Sequence, residues 1–138
     1  MTNSAILEPR ELARQLLAHE LSLGQPSDAT DSLAFRVCDK LRQPLGKLTG
    51  VGGFRSLLSR ALALAGAEVP WLRALHIKAD GSLEGLDALE AKLGASAVAE
   101  GEVVLMSHLL ALLFTFIGTG LTLQLLHDIW PKLDDLKF

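Results

Sequence analysis

The most concentrated chemistry in this chain is cationic. Between Arg36 and Arg60 stand six basic residues (Arg36, Lys40, Arg42, Lys47, Arg55 and Arg60), with Asp39 the sole acid. Guanidinium and ammonium groups are the side chains that recognise carboxylates and phosphates. From Ala61 onward the balance inverts, with ten acids against five bases. Arg36, Lys40, Lys47, Arg55 and Arg60 avoid the apolar helical faces of their own segments. They are candidates for one docking surface that takes an acidic protein or a phosphate-bearing ligand. The competing expectation is that acids of the C-terminal half neutralise them within the fold.

The other reactive side chains form no catalytic constellation. His19, His76, His108 and His127 lack the paired spacing of a zinc site, so no metal is expected. His108 lies inside a long apolar stretch and reads as a hydrogen-bonded core histidine; a pocket beside it is the enzyme or ligand-binding alternative. Cys38 falls on an apolar helix face and is expected to behave as a small hydrophobe. A single cysteine forms no internal disulfide, which fits a reducing, cytoplasmic setting. The residues Met1 to Leu7 have neither a basic nor an apolar run, so no signal peptide is expected.

Three short motifs fail at their decisive position. Asp80-Gly81-Ser82-Leu83-Glu84-Gly85 opens like a calcium loop, but its twelfth position, where a bidentate Glu belongs, is Ala91. Thr49-Gly50-Val51-Gly52-Gly53 lacks the preceding strand and the Gly-Lys-Ser/Thr ending of a phosphate-binding loop. Ala18-His19-Glu20-Leu21 and Leu41-Arg42-Gln43-Pro44-Leu45 are similar to pieces of the phosphoacceptor box of sensor kinases. Here they stand about twenty residues apart, with Asp39 in the place of that family's histidine, and no function is carried over.

The elements that position these residues are helical. The apolar fraction is 49%, and five Phe, two Trp and no Tyr leave the core to Leu, Ala and Val. At 138 residues the chain reads as one domain, residues 1–138. Pro9 opens a first helix with Leu12, Leu16, Leu17 and Leu21 on one face. A second runs through Ala34, Val37, Cys38 and Leu41, with a kink or break expected at Pro44. Gly50, Gly52 and Gly53 predict a flexible turn before a third helix over 54–67. Leu75 to Ala79 alternates apolar and polar, so residues 75–84 predict a small irregular or β-hairpin element. A short helix over 83–93 and a long one over 97–130, capped by Ser96, complete the pattern. The expected fold is all-α, an irregular bundle of about five helices around a long apolar C-terminal helix.

That last segment poses a membrane question. Val103 to Leu126 contains no Asp, Glu, Lys or Arg, and fourteen of its positions are Leu, Val, Ile or Phe. A C-terminal membrane anchor is therefore one reading. Ser107, Ala111, Thr115 and Thr119 recur every four residues, however, as on a core helix that lets a neighbour approach along one stripe. With several amphipathic segments needing a surface to cover, the central-helix reading is preferred. On that reading Leu112→Asp buries an unpaired charge and Thr115→Leu overpacks a helix crossing. The net charge of −3 argues against a nucleic-acid partner. The expectation is a non-enzymatic helical interaction or regulatory module, without cofactor, that binds another protein and self-associates.

Overall fold

The computed structural model describes residues 8–22, 33–79, 81, 83–85 and 92–131. Among them are four α-helices and one two-stranded sheet: α1 (Pro9–Ser22), α2 (Leu33–Glu68), β1 (His76–Ile77), β2 (Leu83–Glu84), α3 (Ala95–Phe116) and α4 (Thr119–Ile129). A 3-10 turn, Pro70–Ala74, joins α2 to β1.

The fold is mostly helical, as the composition predicts, and the break expected at Gly50 is present while that expected at Pro44 is not. Helical geometry runs straight through Pro44, and the interruption comes at Gly50 (φ 81°, ψ 158°). Proline costs the bond to the Lys40 carbonyl. Lys40 is exposed and Pro44 half-exposed, so water is at hand to replace that bond. Gly50 occupies a backbone region that is essentially reserved for glycine. The expected turn thus narrows to Gly50, where two helical stretches of α2 meet at a kink.

The single helix expected over 97–130 is two helices, split at Gly118 (φ 91°, ψ 153°). Its start is Ala95, with Gly94 rather than Ser96 at the N-cap. The helix expected over 83–93 is not there at its beginning: Leu83 and Glu84 are strand, and residues 86–91 lie outside the described set. The hairpin is present and antiparallel, with His76 opposite Glu84 and Ile77 opposite Leu83. Gly81 closes its turn, its N–H bonding Lys78 O at 2.9 Å. Gly81 combines a φ of 90° with close packing, since a Cβ there would come within 3.1 Å of the Phe54 ring. The hairpin tip is thereby set against the middle of α2.

The core is organised by α3, which packs against both α1 and α2. Val104, Leu105, Met106, Leu109, Leu110 and Leu113 are all buried, opposite Leu12, Leu16 and Leu17 of α1 and Val37, Leu41, Leu45, Phe54 and Leu58 of α2. Ser96–Phe116 is long and apolar enough to cross a membrane, and more than half of its most apolar stretch is buried in this fold. The small-residue stripe only partly serves as a crossing. Ser107 is buried and Ala111 half-buried, but Thr115 and Thr119 are exposed. Thr115 therefore has room for a larger side chain, and the overpacking expected there does not arise. Leu112 is half-buried, so a charge at that position is less enclosed than expected. Close approach occurs instead at Gly101, where a Cβ would collide with the ring of Trp71 on the 3-10 turn.

Candidate functional site

The five candidate docking residues separate into three environments. Arg36 and Lys40 turn toward the end of α1. Their partner is Glu20, in the last turn of α1, which continues the buried face Leu12, Ala13, Leu16, Leu17 and is itself fully buried. Lys40 Nζ bonds both carboxylate oxygens, at 2.9 and 3.1 Å, and Arg36 Nε bonds one at 3.2 Å. Trp130 completes the set, its indole N–H donating to Glu20 Oε1 at 2.8 Å. Arg36 Nη2 also donates to the backbone carbonyl of Glu20 at 3.0 Å, satisfying one of the carbonyls that a helix end leaves open. Lys40 Nζ stands 5.8 Å from the centre of the Trp130 ring.

Burial alone raises the pKa of Glu20. The bonds from Lys40 and Trp130, the Lys40 charge and the Arg36 bond together outweigh it and hold the carboxyl below its usual value. This cluster joins the C-terminal end of α1, the start of α2 and the end of α4. It is a structural knot rather than an open site.

Lys47 lies in a shallow depression of about 460 Å³ with Asp39, Arg42, Gln43, Gly46 and Val51. Asp39 and Arg42 approach to 3.6 Å, so the charge there is mixed.

Arg55 and Arg60 share a third place. They border an open groove of about 700 Å³ between the second half of α2 and β1. Ser56, Ser59 and His76 add polar atoms to its wall, while Leu62, Leu75 and Ile77 give it an apolar floor. The helical repeat explains the arrangement: Arg55 and Ser59, and likewise Ser56 and Arg60, are four apart and stack on neighbouring lines of one face. Leu57, Leu58, Ala61 and Ala65 take the opposite, buried face. Arg55 Nε donates to Lys78 O at 3.2 Å, which fixes the guanidinium against the hairpin. Among the described residues, Arg60 makes no ion pair. Among the described acids of the C-terminal half, Glu68 pairs with Arg10 and His108 instead.

His108 is held by Glu68, Nε2 to Oε2 at 2.6 Å, and Arg10 reaches the other oxygen of Glu68 at 3.0 Å. The His108 and Arg10 bonds hold Glu68 below the usual carboxylate range. The histidine is hydrogen-bonded on the rim of the core, and neither concavity is lined by it. Cys38 is buried, with Sγ 4.0 Å from Met106 Sδ. Burial, with Asp39 and Glu102 nearby, pushes its thiol up to about 12. Among the described residues no three His, Cys, Asp or Glu side chains gather as a metal site would require.

Glu20 is the residue that sequence reasoning passed over. The signal was present in its register: a carboxylate four residues after Leu16 on an apolar stripe must be buried, and a buried carboxylate must find donors. No protein family, curated protein or solved structure matches this chain.

Proposed function

We propose that this protein is a non-enzymatic, cytoplasmic interaction module, and that it docks an acidic segment of a partner protein in the groove between α2 and β1. The observation that carries the reading is the composition of that groove. Two arginines, two serines and a histidine surround the apolar residues Leu62, Leu75 and Ile77. An acidic peptide with an interspersed leucine complements it, apolar side chain to the floor and carboxylates to Arg55 and Arg60. The rim arginines are exposed, so each contributes on the order of 1 kcal/mol or less. The association is therefore weak, transient and weakened by salt. Arg36 and Lys40, which the sequence groups with these two, belong to the fold and not to the docking surface.

The test is a titration of isotope-labelled protein with a short peptide of alternating glutamate and leucine. Amide signals of residues 55–63 and 75–78 shift while those near Glu20 do not. A lysine–leucine peptide of equal length gives no such shifts. Equal responses to both peptides, or shifts confined to other surfaces, contradict the reading.

A further inference from the structure

The end of the chain is built as an arm in a socket. Helix α4 meets the body through Thr122, Leu126 and the following Trp130, all buried, while Thr119, Gly120, Leu121, Gln124 and Asp128 face outward. Trp130 is anchored on Glu20, a residue 110 positions earlier. The arm is joined to α3 by Ile117 and Gly118 alone. Gly118 has a φ of 91° and a ψ of 153°, a conformation tolerated essentially by glycine, and nothing lies within 4 Å of where its Cβ would be. No side chain caps the start of α4, so its first N–H groups lack helical partners. On either side of this joint the apolar pattern is continuous and uncharged from Val103 to His127. The joint also carries exposed apolar surface, with Phe116 at 64% and Leu121 at 40%.

We infer that α4 exchanges between two copies of this chain, α3 and α4 straightening into one helix and each Trp130 entering the Glu20 socket of the other copy. An exchanged dimer reproduces every contact between arm and body, so its balance against the closed monomer is set at the joint. Straightening restores the hydrogen bonds missing at Gly118 and relieves its backbone. The two straightened helices cross near the joint, where Thr119 and Gly120 permit close approach and Phe116 and Leu121 find cover. The partner is a second copy because the socket fits this arm: indole N–H to carboxylate, Lys40 beside the ring, and Leu126 in the core.

The experiment places Gly118→Ala beside the wild type in light scattering over a concentration series. Alanine is strained in the closed joint and favours the straight helix, a combined shift on the order of 30- to 1,000-fold per chain. Two chains contribute, so the dimer dissociation constant falls on the order of 1,000-fold or more. A half-labelled Gly118→Ala dimer then shows magnetisation transfer from the Trp130 ring of one chain to the Lys40 side chain of the other. A Gly118→Ala chain that stays monomeric overturns the inference. So does a chain that fails to fold, because exchange is the route by which the strain is relieved. A dimer lacking the interchain Trp130 signal overturns it as well.

Discussion

Replacing Glu20 by alanine removes one acceptor and strands three donors. Trp130 is 1% exposed and its indole N–H loses its bond entirely, a cost of about 1–3 kcal/mol for a buried unsatisfied group. Arg36, with its side chain 17% exposed, keeps a bond to the Glu20 carbonyl but loses its counter-charge. Lys40, 40% exposed, swings into water and contributes little. Breaking a buried ion pair from one side typically costs about 3–5 kcal/mol, and the sum of these pieces falls in that range. Urea unfolding followed by far-UV circular dichroism measures it, as a fall in midpoint at unchanged slope. Trp130→Phe deletes the indole donor and leaves a gap where the larger ring was packed, costing about 1–3 kcal/mol. In a double-mutant cycle the two substitutions couple by about 0.5–3 kcal/mol, because the same bond is lost in each. A loss below about 1 kcal/mol for Glu20→Ala, or additive effects in the cycle, refutes the knot as described.

Acid sensitivity follows from the same carboxylates. Glu20 and Glu68 are both held below the unfolded value of 4.5, so their stabilisation is complete above that pH and drains away as pH falls through their folded values. The urea midpoint of the wild type therefore drops below about pH 4.5, and in Glu20→Gln the drop is shallower; parallel curves contradict this. Cys38, with its thiol pushed up to about 12 and no exposed surface, does not react with thiol reagents near pH 8 until denaturant is added. Fast labelling of the native protein contradicts its burial. Gly101→Ala destabilises by about 1–3 kcal/mol and shifts Trp fluorescence, since the new methyl collides with Trp71. Gly120→Ala, on an exposed helical position with open space, stabilises by about 0.4–1 kcal/mol. Thermal melts that rank these two the other way contradict the packing of α3.

Periodicity carried most of the fold. The face of α1 as far as Leu17, the face of the second half of α2, and the hairpin that turns at Gly81 follow from spacing and turn chemistry, whereas Leu21, expected on the α1 face, is exposed and Glu20 takes the buried place. The joints did not. A glycine within a helical pattern reads as a tolerated residue, and nothing local distinguishes Gly118, where the chain breaks, from Gly101, where α3 passes unbroken beside Trp71. Which of them breaks is decided by what the neighbouring helices can cover. Pro44 shows the converse, a strong local breaker overridden within α2. Charge was legible only in aggregate. The run from Arg36 to Arg60 is basic in sequence, yet its first members are committed to Glu20, sixteen residues before Arg36. A linear count does not reveal which cation has a buried partner. Arg55 and Arg60 do come together, because the α-helical repeat and the adjoining hairpin place them on one wall.

The docking reading stands or falls on Arg55→Glu/Arg60→Glu, measured for stability and for binding of the glutamate–leucine peptide in the same preparation. Both side chains are exposed, and their removal leaves the core and the Glu20 knot untouched. The double reversal therefore keeps the wild-type thermal midpoint within a degree or two, roughly the range of neutral surface changes. It abolishes peptide binding and instead attracts the lysine–leucine peptide, while wild-type binding weakens as salt is raised. Unchanged peptide binding in a folded double variant contradicts the account.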